Sequence, residues 1–154
     1  MRAKGFTLVE ILIVVIILGI LAAIVIPQFT EASNDARESA LASDLQTVRS
    51  QLELYKVQHM EHYPDEVNAD GTAWAADTDN FVSRLTSKTD AYGNIDASGQ
   101  FGPYLQKFPS NPFASANVDS VECGDAQTAD GDPGWFFNTD SGAFAANDAD
   151  HDDL

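Results

Sequence analysis

The sequence predicts an α+β chain: a long N-terminal α-helix, its first half able to span a membrane, packed through its second half on a small C-terminal antiparallel β-sheet. Three observations carry that prediction. Ile11 to Thr30 contains no charge and is almost wholly Leu, Ile, Val and Ala; Leu41, Leu45, Val48, Leu52 and Tyr55 then recur at alternating four- and three-residue spacing; and two aromatic runs near the C-terminus flank a turn-forming loop. The first two patterns are helical and the third is that of a hairpin.

The chain divides by character into residues 1–5, a basic lead; 6–27, the apolar helix; 28–62, the amphipathic helix; and 63–154, a polar head. A helix rises about 1.5 Å per residue, so about 20 apolar residues cross a hydrocarbon core of about 30 Å. Arg2 and Lys4 precede the run and acidic chain follows it. That asymmetry keeps the N-terminus in the cytoplasm and places the head outside. A cleaved secretory signal has similar parts, with Leu21-Ala22-Ala23 as its processing site. This run is longer, continues into Ile24-Val25-Ile26, and carries Glu10 in its first turns. A carboxylate in a membrane costs a few kcal/mol or more, which marks Glu10 as functional; the plainer alternative is a side chain that snorkels to the interface at a helix N-terminus.

Lys4-Gly5-Phe6-Thr7-Leu8-Val9-Glu10, followed by the long apolar helix, resembles the class III signal of type IV pilins and type II secretion pseudopilins. The resemblance implies a type IV pilin-like fold. It implies that a prepilin peptidase cuts between Gly5 and Phe6 and methylates the new Phe6 amine, and that Glu10 pairs with the N-terminal amine of a neighbouring subunit. Further partners follow from the family: an inner-membrane assembly platform, a cytoplasmic ATPase and minor pseudopilins. The chain would wait in the bacterial inner membrane as a single-pass protein, then enter a homopolymeric filament, either a periplasmic pseudopilus or a surface pilus. Physically, a neighbour's ammonium would offset the cost of a buried carboxylate only in the correct axial register.

Pro27 removes a helical hydrogen bond and is expected to kink the helix as it leaves the bilayer. The stripe from Leu41 to Tyr55 then seeks a core. Pro64 ends the helix after about Met60, because the residue before a proline leaves the helical region. His59 and His62 lack a ligand pattern and are expected at the surface. Leu54-Tyr55-Lys56 and Tyr63-Pro64 are similar to segments of the major pseudopilins.

Phe81 to Leu85 is a short helix candidate capped by Asp77, Thr78 or Asp79. Gly102-Pro103-Tyr104-Leu105 to Asn111-Pro112-Phe113 resembles the pseudopilin connector into the sheet, with Asn111 and Phe113 where the family has Asp and Trp. Trp135-Phe136-Phe137 and Ala143-Phe144-Ala145 flank the loop Asn138 to Gly142 as a hairpin, with a third strand near Ser120 to Cys123.

The 154 residues carry a net charge of -16, which opposes nucleic-acid binding because no basic patch exists to neutralise phosphates. The single Cys123 excludes an internal disulfide and is expected as a small buried hydrophobe. Type IV pilins commonly close their C-terminal loop with a disulfide, so its absence favours the secretion branch of the family. Asp125, Asp130, Asp132, Asp148 and Asp150, with Asp152 and Asp153 beyond them, offer oxygen ligands for calcium, which the major pseudopilins bind in their C-terminal loops; a solvated acidic tail reads equally from the same residues. No other cofactor is expected. No nucleophile-and-base spacing or phosphate loop is present, so a structural subunit is expected rather than an enzyme. Two functions remain: the major pseudopilin of a type II secretion system, or the major subunit of a surface type IV pilus for adhesion, motility or DNA uptake.

Overall fold

The computed structural model describes residues 5–151; Arg2 and Lys4 of the lead, and Asp152 and Asp153, lie outside the described residues. Helix α1 (Leu8–Gln58) is followed by a two-stranded ribbon of β1 (Glu66–Val67) and β2 (Ala75–Ala76). A 3-10 turn (Thr78–Asn80) leads into α2 (Phe81–Thr86), and β3 (Val121–Gly124), β4 (Asp130–Asn138) and β5 (Phe144–Asp148) complete the chain. Internal contacts divide the protein into two units, the first ending at Ser39 and the second beginning at Ala40.

In the first unit the apolar side chains of α1 have no cover: Ile11 is 50% exposed and Ile26 64%. An 18-residue window of this helix has a mean hydropathy of 3.3 with none of it buried, long and apolar enough to cross a membrane. The helix assignment runs through Pro27 without a break. The missing proline N–H leaves the Ala23 carbonyl without its helical donor, while Thr30 Oγ1 donates to the Ile26 carbonyl at 3.1 Å.

The second unit is built on the Leu41, Leu45, Val48, Leu52 and Tyr55 stripe. It packs with Phe81 and Leu85 of α2, Phe108, and Trp135, Phe137, Phe144 and Ala146 of the sheet. Each buried Leu, Val or Phe side chain among them contributes about 1.5–3 kcal/mol from apolar burial alone. Helix α1 stops earlier than Pro64 requires. Met60 and Glu61 adopt left-handed backbones, φ 58° and 71°, and Glu61 N–H donates to the Lys56 carbonyl at 2.9 Å, a six-to-one closure of the last turn.

The hairpin forms where expected. Trp135 pairs with Ala146 and Phe137 with Phe144, antiparallel, and Asn138 N–H donates to the Ala143 carbonyl across the loop at 2.8 Å. The Asn138 side-chain oxygen gathers the N–H groups of Asp140 and Ser141 and the Ser141 hydroxyl, so one residue fixes the tip. The third strand is present as β3, in the order β3-β4-β5, but it joins β4 in parallel, Val121 opposite Trp135 and Cys123 opposite Phe137. The sheet is therefore mixed. The physical reason is the segment 125–134, which carries the chain back past β3 before β4 begins to pair with it, so both strands run the same way.

Candidate assembly site

Thr7 and Glu10 hold each other at the start of α1. Glu10 Oε2 accepts from the Thr7 backbone N–H at 2.8 Å and from the Thr7 hydroxyl at 2.8 Å, and Glu10 N–H donates to Thr7 Oγ1 at 3.2 Å. This is a reciprocal capping box: the first free N–H groups of the helix are satisfied by the side chains three residues apart. The carboxylate also sits at the positive end of the helix dipole. Glu10 is thus partnered within its own chain, next to an uncovered Phe6, which is 84% exposed. Gly5 is exposed beside it, so the Gly5–Phe6 bond lies in open chain ahead of the helix. The spacing of Thr7-Leu8-Val9-Glu10 is itself that of a capping box, so the role of Thr7 is legible in the sequence.

The described acidic residues of the head each have their own surroundings. Asp130 lies opposite Asp148 on β4 and β5. Asp132 accepts from Asn117 at 2.6 Å. Asp148 is buried, takes a hydrogen bond from Asn111 Nδ2 at 3.0 Å and pairs with His151. Asp125 offers its backbone carbonyl to Asn138 Nδ2, and Asp150 is exposed. Among the described residues no group of three or more His, Cys, Asp or Glu side chains gathers as a metal ion would require, and the oxygens of Asp148 are already taken by Asn111 and His151.

Asn111 is the organising residue of the connector. Fully buried, it donates to the Gly134 carbonyl at 2.8 Å as well as to Asp148, and its side-chain oxygen accepts from Phe113 N–H at 2.8 Å. Phe113 stacks on His151 with ring centroids 4.0 Å apart. The amide at this place donates to a neighbouring carboxylate, which an Asp there could do only when protonated.

A buried polar cluster at the end of α1 corrects the reading of the histidines. His59 is fully buried, stacked on Tyr55 at 3.7 Å, with Nδ1 2.8 Å from the Tyr55 carbonyl and Nε2 3.0 Å from Thr89 Oγ1. It lies on the core side of the last helical turn, four residues beyond Tyr55, where the stripe still points inward. Burial depresses its pKa. His62 is half-buried, paired with Glu66 and stacked on Trp74 at 3.9 Å. Arg84, also buried, donates to the carbonyls of Gly93, Pro64 and Asp77 and pairs with the Asp77 carboxylate. Asp77 therefore serves Arg84 and Asn80 rather than capping α2, whose N-cap Asn80 makes no side-chain capping bond. Burial pushes the Asp65 carboxyl up to about 6 and the half-buried Cys123 thiol up to about 12.

The prokaryotic N-terminal methylation motif matches residues 1–26. The type II secretion system core protein G of Pseudomonas aeruginosa is 32% identical over 134 residues, covering 84% of this chain and 93% of that relative. The core protein G of Klebsiella pneumoniae is 29% identical over 114 residues, 74% of this chain and 71% of its own. A type IV narrow pilus major component of Thermus thermophilus is 29% identical over 100 residues, covering 60% of this chain and 86% of the relative. No solved structure matches the chain.

Proposed function

The chain belongs to the type II secretion system core protein G family of pilin-like proteins, and from that premise we propose that it is the major pseudopilin of a type II secretion system, a structural subunit without enzymatic activity. Its uncovered apolar helix holds the membrane before assembly and becomes filament core afterwards. The observation that carries this is the pairing of a bare α1 from Leu8 to Phe29 with a self-contained head. Such a subunit buries its helix only against other copies, and head-to-tail repetition of one contact generates a fibre. A prepilin peptidase removes residues 1–5 and methylates Phe6. Glu10 then exchanges its Thr7 partner for the Phe6 amine of a neighbour, on a platform driven by a cytoplasmic ATPase, with minor pseudopilins as further partners. The N-terminus faces the cytoplasm and the head the periplasm.

Intact-mass spectrometry on sheared surface material and on washed membranes tests this. A mass lacking Met1 to Gly5 and carrying one added methyl, found in the membranes, is expected. The same mass dominating the sheared fraction would favour the surface pilus, the reading supported by the Thermus relative. An unprocessed or Ala23-cleaved mass would overturn both. Glu10→Ala is expected to be processed normally and to abolish filaments.

A further inference from the structure

A groove with a cavity of about 500 Å³ separates α2 and its leading turn from β3. Phe81 and Val82 form its apolar side, Asp79 and Asp119 stand at its rim, and Val121 and Cys123 line its other wall. The backbone of that wall is an open sheet edge. Trp135 N–H donates to the Ser120 carbonyl at 3.1 Å and Thr139 N–H to the Gly124 carbonyl at 3.0 Å. In a parallel ladder this phase turns the C=O of Ser120 and the N–H and C=O groups of Glu122 and Gly124 toward β4, while the Ser120 N–H donates to the Asn117 carbonyl at 2.9 Å. The N–H and C=O groups of Val121 and Cys123 consequently face away from β4, toward the groove. The side chains of the same two residues pack on the core, so the strand is held firmly while its edge stays available.

We infer that this edge is a docking site for an extended, basic segment of another protein, which adds to β3 as a further strand. Main-chain pairing along an exposed edge gives such a segment affinity, and the neighbouring pocket gives selectivity. Val121 and Cys123 offer two N–H donors and two carbonyl acceptors. Val82 offers an apolar face to a side chain of the incoming strand, and its lysines or arginines meet Asp79 and Asp119. Among the described residues no Lys or Arg lines the groove. A second copy of this chain is the poorer occupant, because the protein holds 24 acidic against 8 basic residues and copies would bring like charge to the rim. A short edge strand beside exposed carboxylates also discourages self-pairing.

The test uses the full chain in detergent micelles and amide hydrogen exchange by NMR. The probe is the acetylated, amidated peptide Lys-Val-Arg-Val-Lys, with Glu-Val-Glu-Val-Glu and a backbone N-methylated form of the basic peptide as controls. The basic peptide is expected to slow exchange at the Val121 and Cys123 amides by about tenfold, and the two controls to leave it unchanged. In the double variant Asp79→Lys with Asp119→Lys, both on exposed positions outside the core, the preference is expected to invert toward the acidic peptide. Unchanged exchange with the basic peptide, or equal protection by the N-methylated form, would overturn the inference. Protection that appears without peptide and grows with protein concentration would assign the edge to a second copy and overturn it as well.

Discussion

Helix α1 lives in two environments along one continuous helical assignment. Between Leu8 and Phe29 its large apolar side chains are exposed, Leu18 by 59%; after Ala40 the residues Leu41, Val48 and Tyr55 are wholly buried. The backbone is equally helical in both. The difference teaches that helix formation and helix burial are separate decisions in this chain. The first unit is apolar around its whole circumference, which suits lipid or other helices. The second is apolar along one stripe, which suits one sheet.

The sharpest way to break this comparison is to remove an equal class of side chain from each unit. Trp135→Ala, at the centre of the head and bonded through Nε1 to the Pro109 carbonyl, is expected to cost about 3–5 kcal/mol. Ile17→Ala is expected to move head stability by less than about 0.5 kcal/mol. Denaturant titration of both full-length variants in detergent, followed by near-UV circular dichroism, reads the contrast; a comparable loss from Ile17→Ala would show that the units are coupled.

Next in size is Arg84→Met. It strands three carbonyls and the Asp77 carboxylate, and is expected to cost about 3 kcal/mol in the same titration. A neutral result would show that water replaces the guanidinium freely.

A smaller effect sharpens the comparison by pH. The folded Asp65 carboxyl titrates near 6 against an ordinary 3.8, so between those values the native state holds the proton more tightly than the unfolded chain. Stability from this group is therefore greatest below about pH 4 and is lost as pH rises toward 6. The depressed pKa of His59 acts oppositely, removing stability as pH falls below its ordinary 6.5. Asp65→Asn is expected to gain about 1–2 kcal/mol at pH 7 and to expose the His59 decline on acidification. A variant whose pH profile matches the parent would remove Asp65 from this role.

The smallest expected effect is that of calcium. Because the described carboxylates do not gather, millimolar calcium against a chelator is expected to shift the melting temperature of the head by less than about 1 °C, where binding at 100 times Kd would add about 2.7 kcal/mol.

The parts of this fold legible in the sequence are those written in periodicity. Leu41 to Tyr55 declared the buried stripe, and Asn138 to Gly142 declared the hairpin tip. What stayed hidden was settled by tertiary context. Nothing local distinguishes a parallel from an antiparallel β3, because that depends on the route of 125–134. His59 looked solvent-facing because it is polar, although its place four residues after Tyr55 put it on the buried side. The helix end near Met60 is legible from Pro64, but the left-handed backbone of Met60 and Glu61 is not, since such caps are expected at glycine. At the candidate assembly site Gly5, Phe6 and Glu10 are legible as a motif, and the capping role of Thr7 is legible in its spacing to Glu10.

The uncovered first unit has a consequence for protein engineering. Any screen that ranks variants by how well the isolated subunit folds, or how hot it must become to melt, samples only the residues after Ala40. Substitutions between Leu8 and Phe29 pass such a screen almost unfiltered. A library optimised in that way would drift most in the segment we propose for polymerisation, and would return sturdier heads on unselected stalks.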